Sequence, residues 1–266
     1  MKLCERCHKE RDDADFAQFH DIGVFCSWCR EHLQVIVDKY GIDGAKTWIF
    51  EPRTDLMGLI EGEGKRILDC GCWAGYTMQA LKDEGHEVYG LDIEDNRRVC
   101  KDAVLWPMNL HSPTDYLGIS ETREVMYFDY ILFGDVLEHL TDPLPALKAA
   151  KRWLTGGGRV LISVPNAGWI GSVLSIANQH FPRDESGHFD KTHLRFYTRE
   201  QLGKTIKEAG FNRVEFFSKQ LPDATPWPEG KEGEQLFQWD NVIIKCNRDL
   251  FEQLNTYQVL ARAWVE

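Results

Sequence analysis

Four of the eight cysteines form two pairs, Cys4-x-x-Cys7 and Cys26-x-x-Cys29, with 18 residues between the pairs. A tight turn within each pair can aim both sulfurs at one point. Two such knuckles close a tetrahedron of thiolates at about 2.3 Å from a zinc ion. The segment is short and polar, so without a metal it has little core to offset the entropy of ordering. The spacing predicts a zinc-ribbon-like module over residues 1–40, with Zn2+ held by Cys4, Cys7, Cys26 and Cys29. Four thiolates leave no position for water or substrate, so this zinc is expected to be structural. Cys70 and Cys72 lie at an apolar strand end and read as small core residues.

A second chemical signal lies at Ile67-Leu68-Asp69-Cys70-Gly71-Cys72-Trp73-Ala74-Gly75-Tyr76. It reads as a strand that ends in a glycine turn and leads into a helix. Gly71 lets backbone approach a ligand closely, and the helix start offers free N–H groups to an anion. Asp69 at the strand end can accept from an ammonium or a hydroxyl. Twenty-three residues on, Asp92 ends the next apolar run, Val88-Tyr89-Gly90-Leu91-Asp92-Ile93, where an acid can take both hydroxyls of a ribose.

The elements that must position these residues alternate. Strands are expected at 66–72, 87–93, 103–109, 127–136 and 159–165, and helices at 76–84, 95–100, 144–154 and 198–209. Such alternation implies a parallel sheet with helices on both faces. Before it, short helices are expected over 29–40 and 55–60. After it, 213–218 reads as a strand, 221–233 as a loop, 239–254 as mostly helical and 257–265 as a final strand.

Composition sets the bounds. The chain has 266 residues, 43% hydrophobic, with 31 basic and 42 acidic side chains, giving a net charge of −11. That suits one sizeable domain with a small appendage and disfavours nucleic acid as a general partner. Residues 1–60 carry 8 Lys/Arg against 11 Asp/Glu, so the cysteine module is no basic clamp, although it leaves a protein partner open. No run reaches the roughly 18 apolar residues of a membrane span. The opening residues lack the apolar stretch of a signal peptide, so the expected location is cytoplasmic.

The ordered motifs resemble those of Rossmann-like S-adenosylmethionine (SAM) methyltransferases, in the small-molecule branch that includes ubiquinone-biosynthesis O-methyltransferases. The glycine loop and Gly90-x-Asp92 are followed by Phe128-Asp129-Tyr130-Ile131-Leu132-Phe133-Gly134-Asp135-Val136-Leu137-Glu138-His139-Leu140-Thr141-Asp142-Pro143. Then come Gly156-Gly157-Gly158, Val164-Pro165-Asn166, His193-Leu194-Arg195-Phe196-Tyr197-Thr198 and the closing Tyr257-Gln258-Val259-Leu260-Ala261-Arg262. The resemblance covers residues 45–266 and implies an α/β fold: a seven-stranded, mostly parallel sheet whose last strand is antiparallel. It implies SAM as cofactor, with Asp69, Gly71 and Gly75 around its methionine part and Asp92 at its ribose. Leu91 or Ile93 would flank the adenine, Asn109 would lie near its exocyclic nitrogen, and Gly134 and Asp135 would sit beneath the reactive methyl. Two positions depart from the pattern: Trp73 replaces the second loop glycine, and Asn109 replaces an aspartate. The indole either caps the sheet edge or touches the cofactor.

The expected reaction is methyl transfer to a small-molecule acceptor at oxygen. His139 could take the hydroxyl proton, or it could serve only as a packing residue. His193, with His188, Asp190, Glu138 and His139, could form a divalent-metal site near the acceptor, or His193 and Asp190 could simply tie down their loop. Residues 166–192 are expected to form a lid. Its Trp169, Phe181 and Phe189 would either line an apolar acceptor pocket or fill the lid's own core. Two competing readings are methylation of RNA or protein with the zinc module as docking element, and a non-catalytic zinc protein with a degenerate SAM pocket.

Overall fold

The computed structural model describes residues 52–93, 99–100, 102–111, 127–184, 187–222 and 224–266, with the backbone of four short strands before them. Those strands are β1 (Lys2–Leu3), β2 (Glu10–Arg11), β3 (Phe16–Phe19) and β4 (Gly23–Cys26). β1 pairs antiparallel with β2, and β3 with β4. The thiolate set expected at Cys4, Cys7, Cys26 and Cys29 lies outside the described residues, as do the helix over 29–40 and most of the helix expected at 95–100.

From residue 52 onward the sequence alternates as expected. In chain order come α1 (Thr54–Met57), β5 (Arg66–Cys70), α2 (Tyr76–Asp83), β6 (Glu87–Asp92), β7 (Val104–Pro107), β8 (Phe128–Gly134) and α3 (Leu144–Trp153). They are followed by β9 (Leu154–Pro165), α4 (Ile170–Ala177), α5 (Arg199–Glu208) and β10 (Arg213–Lys219). The chain closes with β11 (Gln235–Trp239), β12 (Val242–Cys246), α6 (Arg248–Asn255) and β13 (Gln258–Trp264).

Seven strands form one sheet in the order β10-β13-β9-β8-β5-β6-β7, and β13 alone runs antiparallel to its neighbours. β5 and β8 are buried on both faces, which is why they read as nearly continuous apolar runs. Leu68 and Cys70 point into one layer, with Leu147, Ala150 and Trp153 of α3 and Leu202 and Ile206 of α5. Ile67 and Leu132 point into the other, with Leu56 and Met57 of α1 and Met78 and Leu81 of α2. Each large side chain buried in these layers contributes about 1.5–3 kcal/mol. From β5 the chain steps outward to β6 and β7, then returns to place β8 on the opposite side of β5. Ligands of open α/β sheets bind at the carboxyl ends of strands where the order reverses in this way.

Three expectations need correction. The stretch 239–254 is not mostly helical: β11 and β12 form a hairpin there. Asp240 takes a left-handed φ of 49° at its tip, and Val242-Ile243-Ile244 is a β-branched run suited to a strand. Helix α6 begins only after Asn247, whose Oδ1 accepts the Leu250 N–H at 2.9 Å. Second, Gly156–Gly158 lies within β9, where the β8 register jumps from Phe128↔Leu154 to Tyr130↔Arg159. Third, the helix expected at 55–60 is the single turn of α1. No helix among the described residues is long and apolar enough to cross a membrane.

Candidate active site

The carboxyl ends of β5 and β8 open onto a cavity of about 240 Å3 whose walls include Arg53, Asp69, Gly71, Trp73, Gly134 and Asp135. The turn after β5 is fixed by Gly71. Its φ is +75°, and a Cβ there would stand 2.6 Å from Val136 Cγ2. Gly75 (φ +83°) then lets the chain enter α2. Trp73 takes φ +40°, unusual for a residue with a Cβ. Its N–H donates to Asp92 Oδ2 at 2.7 Å, while Asp92 Oδ1 accepts the Ile93 N–H at 2.7 Å. The indole is 38% exposed and forms part of the wall without filling the cavity.

Asp69 is buried at the end of β5, in the wall of this cavity. Burial, reinforced by the charge of Asp92 and opposed by Arg53, pushes its pKa up to about 7. A cation placed here would restore the ionised form. Of the other expected contacts, Ile93 is exposed at the end of β6, and half-buried Asn109 accepts the His111 N–H on Oδ1 at 2.9 Å. Neither they nor Asp92 belong to the wall of this cavity.

Arg53 was not visible as a site residue from the sequence. Its Nε and Nη2 donate to the two oxygens of Asp55 at 3.0 and 2.9 Å, and Nη1 donates to Asp135 Oδ2 at 2.7 Å. The only sequence hint is an Arg and an Asp two residues apart just ahead of the main domain. Burial alone would lower the guanidinium's pKa, but the two carboxylates more than reverse it. Burial would likewise raise Asp55, yet bonds from Arg53 and Lys219 hold it down to about 2. Asp135 has φ +55° and is held from every side. Gln258 Nε2 also donates to Oδ2 at 2.9 Å, and Ser163 Oγ donates to Oδ1 at 2.8 Å.

Asp135 also borders a second cavity of about 110 Å3, shared with Glu138, His139, His193, Tyr257 and Gln258. A 3-10 turn, Leu137–His139, follows β8 and carries the first two of these. The backbone carbonyl of Glu138 accepts the N–H groups of Leu194 and Arg195 at 2.8 and 3.1 Å, which brings His193 alongside. Thr192 Oγ1 donates to Asp190 Oδ1 at 2.6 Å, so its contact with His139 Nδ1 at 3.1 Å requires the imidazole to donate. His193 Nδ1 donates to the His188 carbonyl at 3.1 Å. Both imidazoles are thereby left with Nε2 as a bare acceptor. Glu138 is 1% exposed, and neither carboxylate oxygen has a hydrogen-bond partner among the described residues. Burial, then the charge of Asp135, pushes its pKa well above the usual carboxylate range. Burial, then His193, lowers that of His139. Donor atoms of Glu138, His139 and His193 all lie within 4.8 Å of one another.

The expected lid carries α4. Phe181, Phe189 and Phe196 pack on one another, with ring centroids 4.8 and 5.2 Å apart for Phe181, which is itself 48% exposed. Trp169 instead packs on His188 and Tyr257 at 5.0 and 5.1 Å, behind the second cavity.

A family model described as a methyltransferase domain matches residues 45–215. The ubiquinone biosynthesis O-methyltransferase of Hydrogenovibrio crunogenus is 30% identical over 211 residues, 76% of this chain and 81% of that protein. The protein of the same name from Psychrobacter arcticus is 25% identical over 206 residues, 74% of each. The fold matches a solved SAM-dependent methyltransferase from Archaeoglobus fulgidus with a TM-score of 0.52 at 18% identity, covering 79% of this chain and 90% of that one. The matched region spans more than half of the sequence and includes both carboxylate-lined strand ends of the switch point; this chain belongs to the methyltransferase-domain family and is a Rossmann-like SAM-dependent methyltransferase.

Proposed function

We propose that the chain methylates an oxygen of a small-molecule acceptor. The observation that carries this reading is a pair of adjoining cavities that share Asp135. One has a buried aspartate suited to a cationic cofactor, and the other has imidazole nitrogens suited to a hydroxyl. Relatives named as O-methyltransferases support the acceptor class.

When bound, SAM supplies an electrophilic methyl on a sulfonium. The rest is the work of this chain's residues. Asp69 takes the ammonium of the methionine part, and Gly71 and Gly75 allow backbone to approach it. Asp92 takes the ribose hydroxyls, Ile93 covers the adenine and Asn109 meets its amino group. Gly134 and Asp135 form the floor between cofactor and acceptor. Holding the acceptor oxygen in line supplies most of the acceleration, up to about 7–11 kcal/mol in favourable cases. The acceptor proton is handled at Glu138, His139 and His193, where His139 Nε2 is free to receive it.

Isothermal titration with SAM and transfer of labelled methyl into fractionated lysate test this reading. Micromolar binding and label in the small-molecule fraction are expected. No SAM binding, or label confined to RNA or protein, would overturn it. Cys4, Cys7, Cys26 and Cys29 are proposed to hold a structural Zn2+. Cys26→Ser should then lower zinc content by one equivalent in elemental analysis, and unchanged content would show that the ligand set is wrong.

A further inference from the structure

We propose that Thr192 is a positioning residue for methyl transfer: held by Asp190, its hydroxyl fixes His139 as the Nδ1–H tautomer and so keeps Nε2 free to take the acceptor's proton. The catalytic half of this role rests on the O-methyltransferase reading, whereas the tautomer itself does not.

Thr192 Oγ1 carries one proton and stands between two partners, Asp190 Oδ1 at 2.6 Å and His139 Nδ1 at 3.1 Å. A carboxylate oxygen only accepts, so the proton is committed to Asp190 and the imidazole has to donate. The arrangement is fixed from both sides. Asp190 Oδ1 also accepts the Thr192 backbone N–H at 2.7 Å, which pins the residue through main chain and side chain together. Its β-branched side chain has few other rotamers to enter. The His139 ring meets the His193 ring edge-on, with centroids 4.8 Å apart and an interplanar angle of 71°. Asp190, His139 and His193 border the second cavity and Thr192 does not, so its hydroxyl acts only through the ring.

What the hydroxyl contributes is direction without charge. A carboxylate placed directly against Nδ1 would draw the ring toward imidazolium, which has no lone pair to receive a proton. A neutral oxygen selects the tautomer and leaves the ring neutral. During transfer, the acceptor O–H bond breaks and an N–H bond forms at His139 Nε2. The freed oxygen pair forms the bond to the methyl carbon, while the methyl–sulfur bond breaks with its pair staying on sulfur. The resulting imidazolium donates to Thr192 through the same Nδ1–H as before, so nothing on that side has to be remade, and Nε2 then gives its proton to water.

Nitrogen-15 NMR of the full chain with its nine histidines labelled reads the tautomer directly, because protonated and bare ring nitrogens resonate in separate ranges. The His139 signals are assigned by their loss in His139→Gln. At a pH where the ring is neutral, the wild type should show a protonated Nδ1 and a bare Nε2. Thr192→Ser should keep that pattern, and Thr192→Val, which keeps the shape and loses the hydroxyl, should move the proton to Nε2. Transfer of labelled methyl from SAM into the small-molecule fraction should fall about tenfold or more in Thr192→Val and return to within about threefold in Thr192→Ser. SAM affinity should stay within about threefold in both. A bare Nδ1 in the wild type, or the same tautomer in Thr192→Val, would overturn the assignment, and undiminished transfer in a Thr192→Val protein with the switched tautomer would overturn the catalytic role. Should Thr192→Val lose SAM binding through misfolding, the wild-type and Thr192→Ser spectra decide the tautomer. Absence of SAM binding in the wild type would instead sink the methyltransferase reading and leave the tautomer, read by NMR alone, standing.

Discussion

Asp135 and Glu138 stand three residues apart after the same strand, and they have opposite surroundings. Asp135 receives hydrogen bonds from Arg53, Gln258 and Ser163, which belong to segments before β5, on β13 and on β9. Glu138 is the more deeply buried of the two and receives none on its carboxylate from the described residues. The first carboxylate stabilises the fold by tying distant segments to the end of β8. The second is held at a cost in stability, and its neighbours His139 and His193 are arranged around it. One carboxylate is saturated with hydrogen bonds, and the other has none from the described residues.

The sharpest way to break this contrast is Arg53→Ala. It removes the guanidinium that two partly buried carboxylates share, leaving Asp55 and Asp135 without their main counter-charge. Stability should fall by about 3 kcal/mol, read as a lower urea midpoint at unchanged slope. Lysine at this position should recover only part of the loss, because one ammonium cannot grip Asp55 with two bonds and reach Asp135 as well. A midpoint unmoved by Arg53→Ala would mean that the network is decoration.

The cavity at the ends of β5 and β8 could be read from the sequence far better than the one beside Glu138. Asp69, Gly71, Gly75, Gly134 and Asp135 sit on or next to apolar strand ends, and parallel strands bring such ends together whatever the loops do. All five border one cavity in the fold. Arg53 escaped notice because it reaches Asp135 across 82 positions, a distance over which no periodicity speaks. The histidine pair raised a metal question that spacing alone left open, because what brings His193 beside His139 is a backbone carbonyl of residue 138 receiving two N–H groups from 194 and 195. The hairpin of β11 and β12 was misread as helix because its apolar run is short, and short runs fit either period.

A second effect, smaller but more specific, concerns Asp69. Its folded pKa is raised from 3.8 to about 7, so the free protein holds a proton there that the unfolded chain releases. Stability of the free protein should therefore fall as pH rises from about 4 to about 7. SAM affinity should move the other way and strengthen over the upper part of that window, because only the carboxylate can hold an ammonium. Asp69→Asn should weaken SAM by about 1.5–3 kcal/mol and flatten both pH dependences. Calorimetric titrations at pH 6 and 8 decide it: an unchanged ratio between the two pH values in the variant would place the titrating group elsewhere.

For Glu138 the expected sign reverses relative to Arg53. Glu138→Gln removes a buried acid that no described residue satisfies, so the metal-free protein should be as stable or more so, by up to about 1 kcal/mol. Because the folded pKa of Glu138 is raised, its penalty grows as pH rises above the unfolded value, and the variant's advantage should grow with it. Thermal unfolding at pH 6 and 8 in the presence of a chelator checks both the sign and the trend. A loss of stability equal to that of Arg53→Ala would abolish the distinction between the two regions.

The smallest effect tests the feature that departs most from the family pattern. Trp73 adopts φ +40°, a region costly for a residue with a Cβ, and its half-exposed ring buries little surface in return. Trp73→Gly should relieve that strain while loosening the unfolded chain, and the two terms nearly cancel to within about 1 kcal/mol. Its backbone N–H still reaches Asp92 in the variant, so the turn should survive. If the indole only walls the cavity, SAM affinity should change less than threefold; a loss of tenfold or more would show that the ring itself grips the cofactor, with part of the binding role having passed from backbone to a side chain at this position.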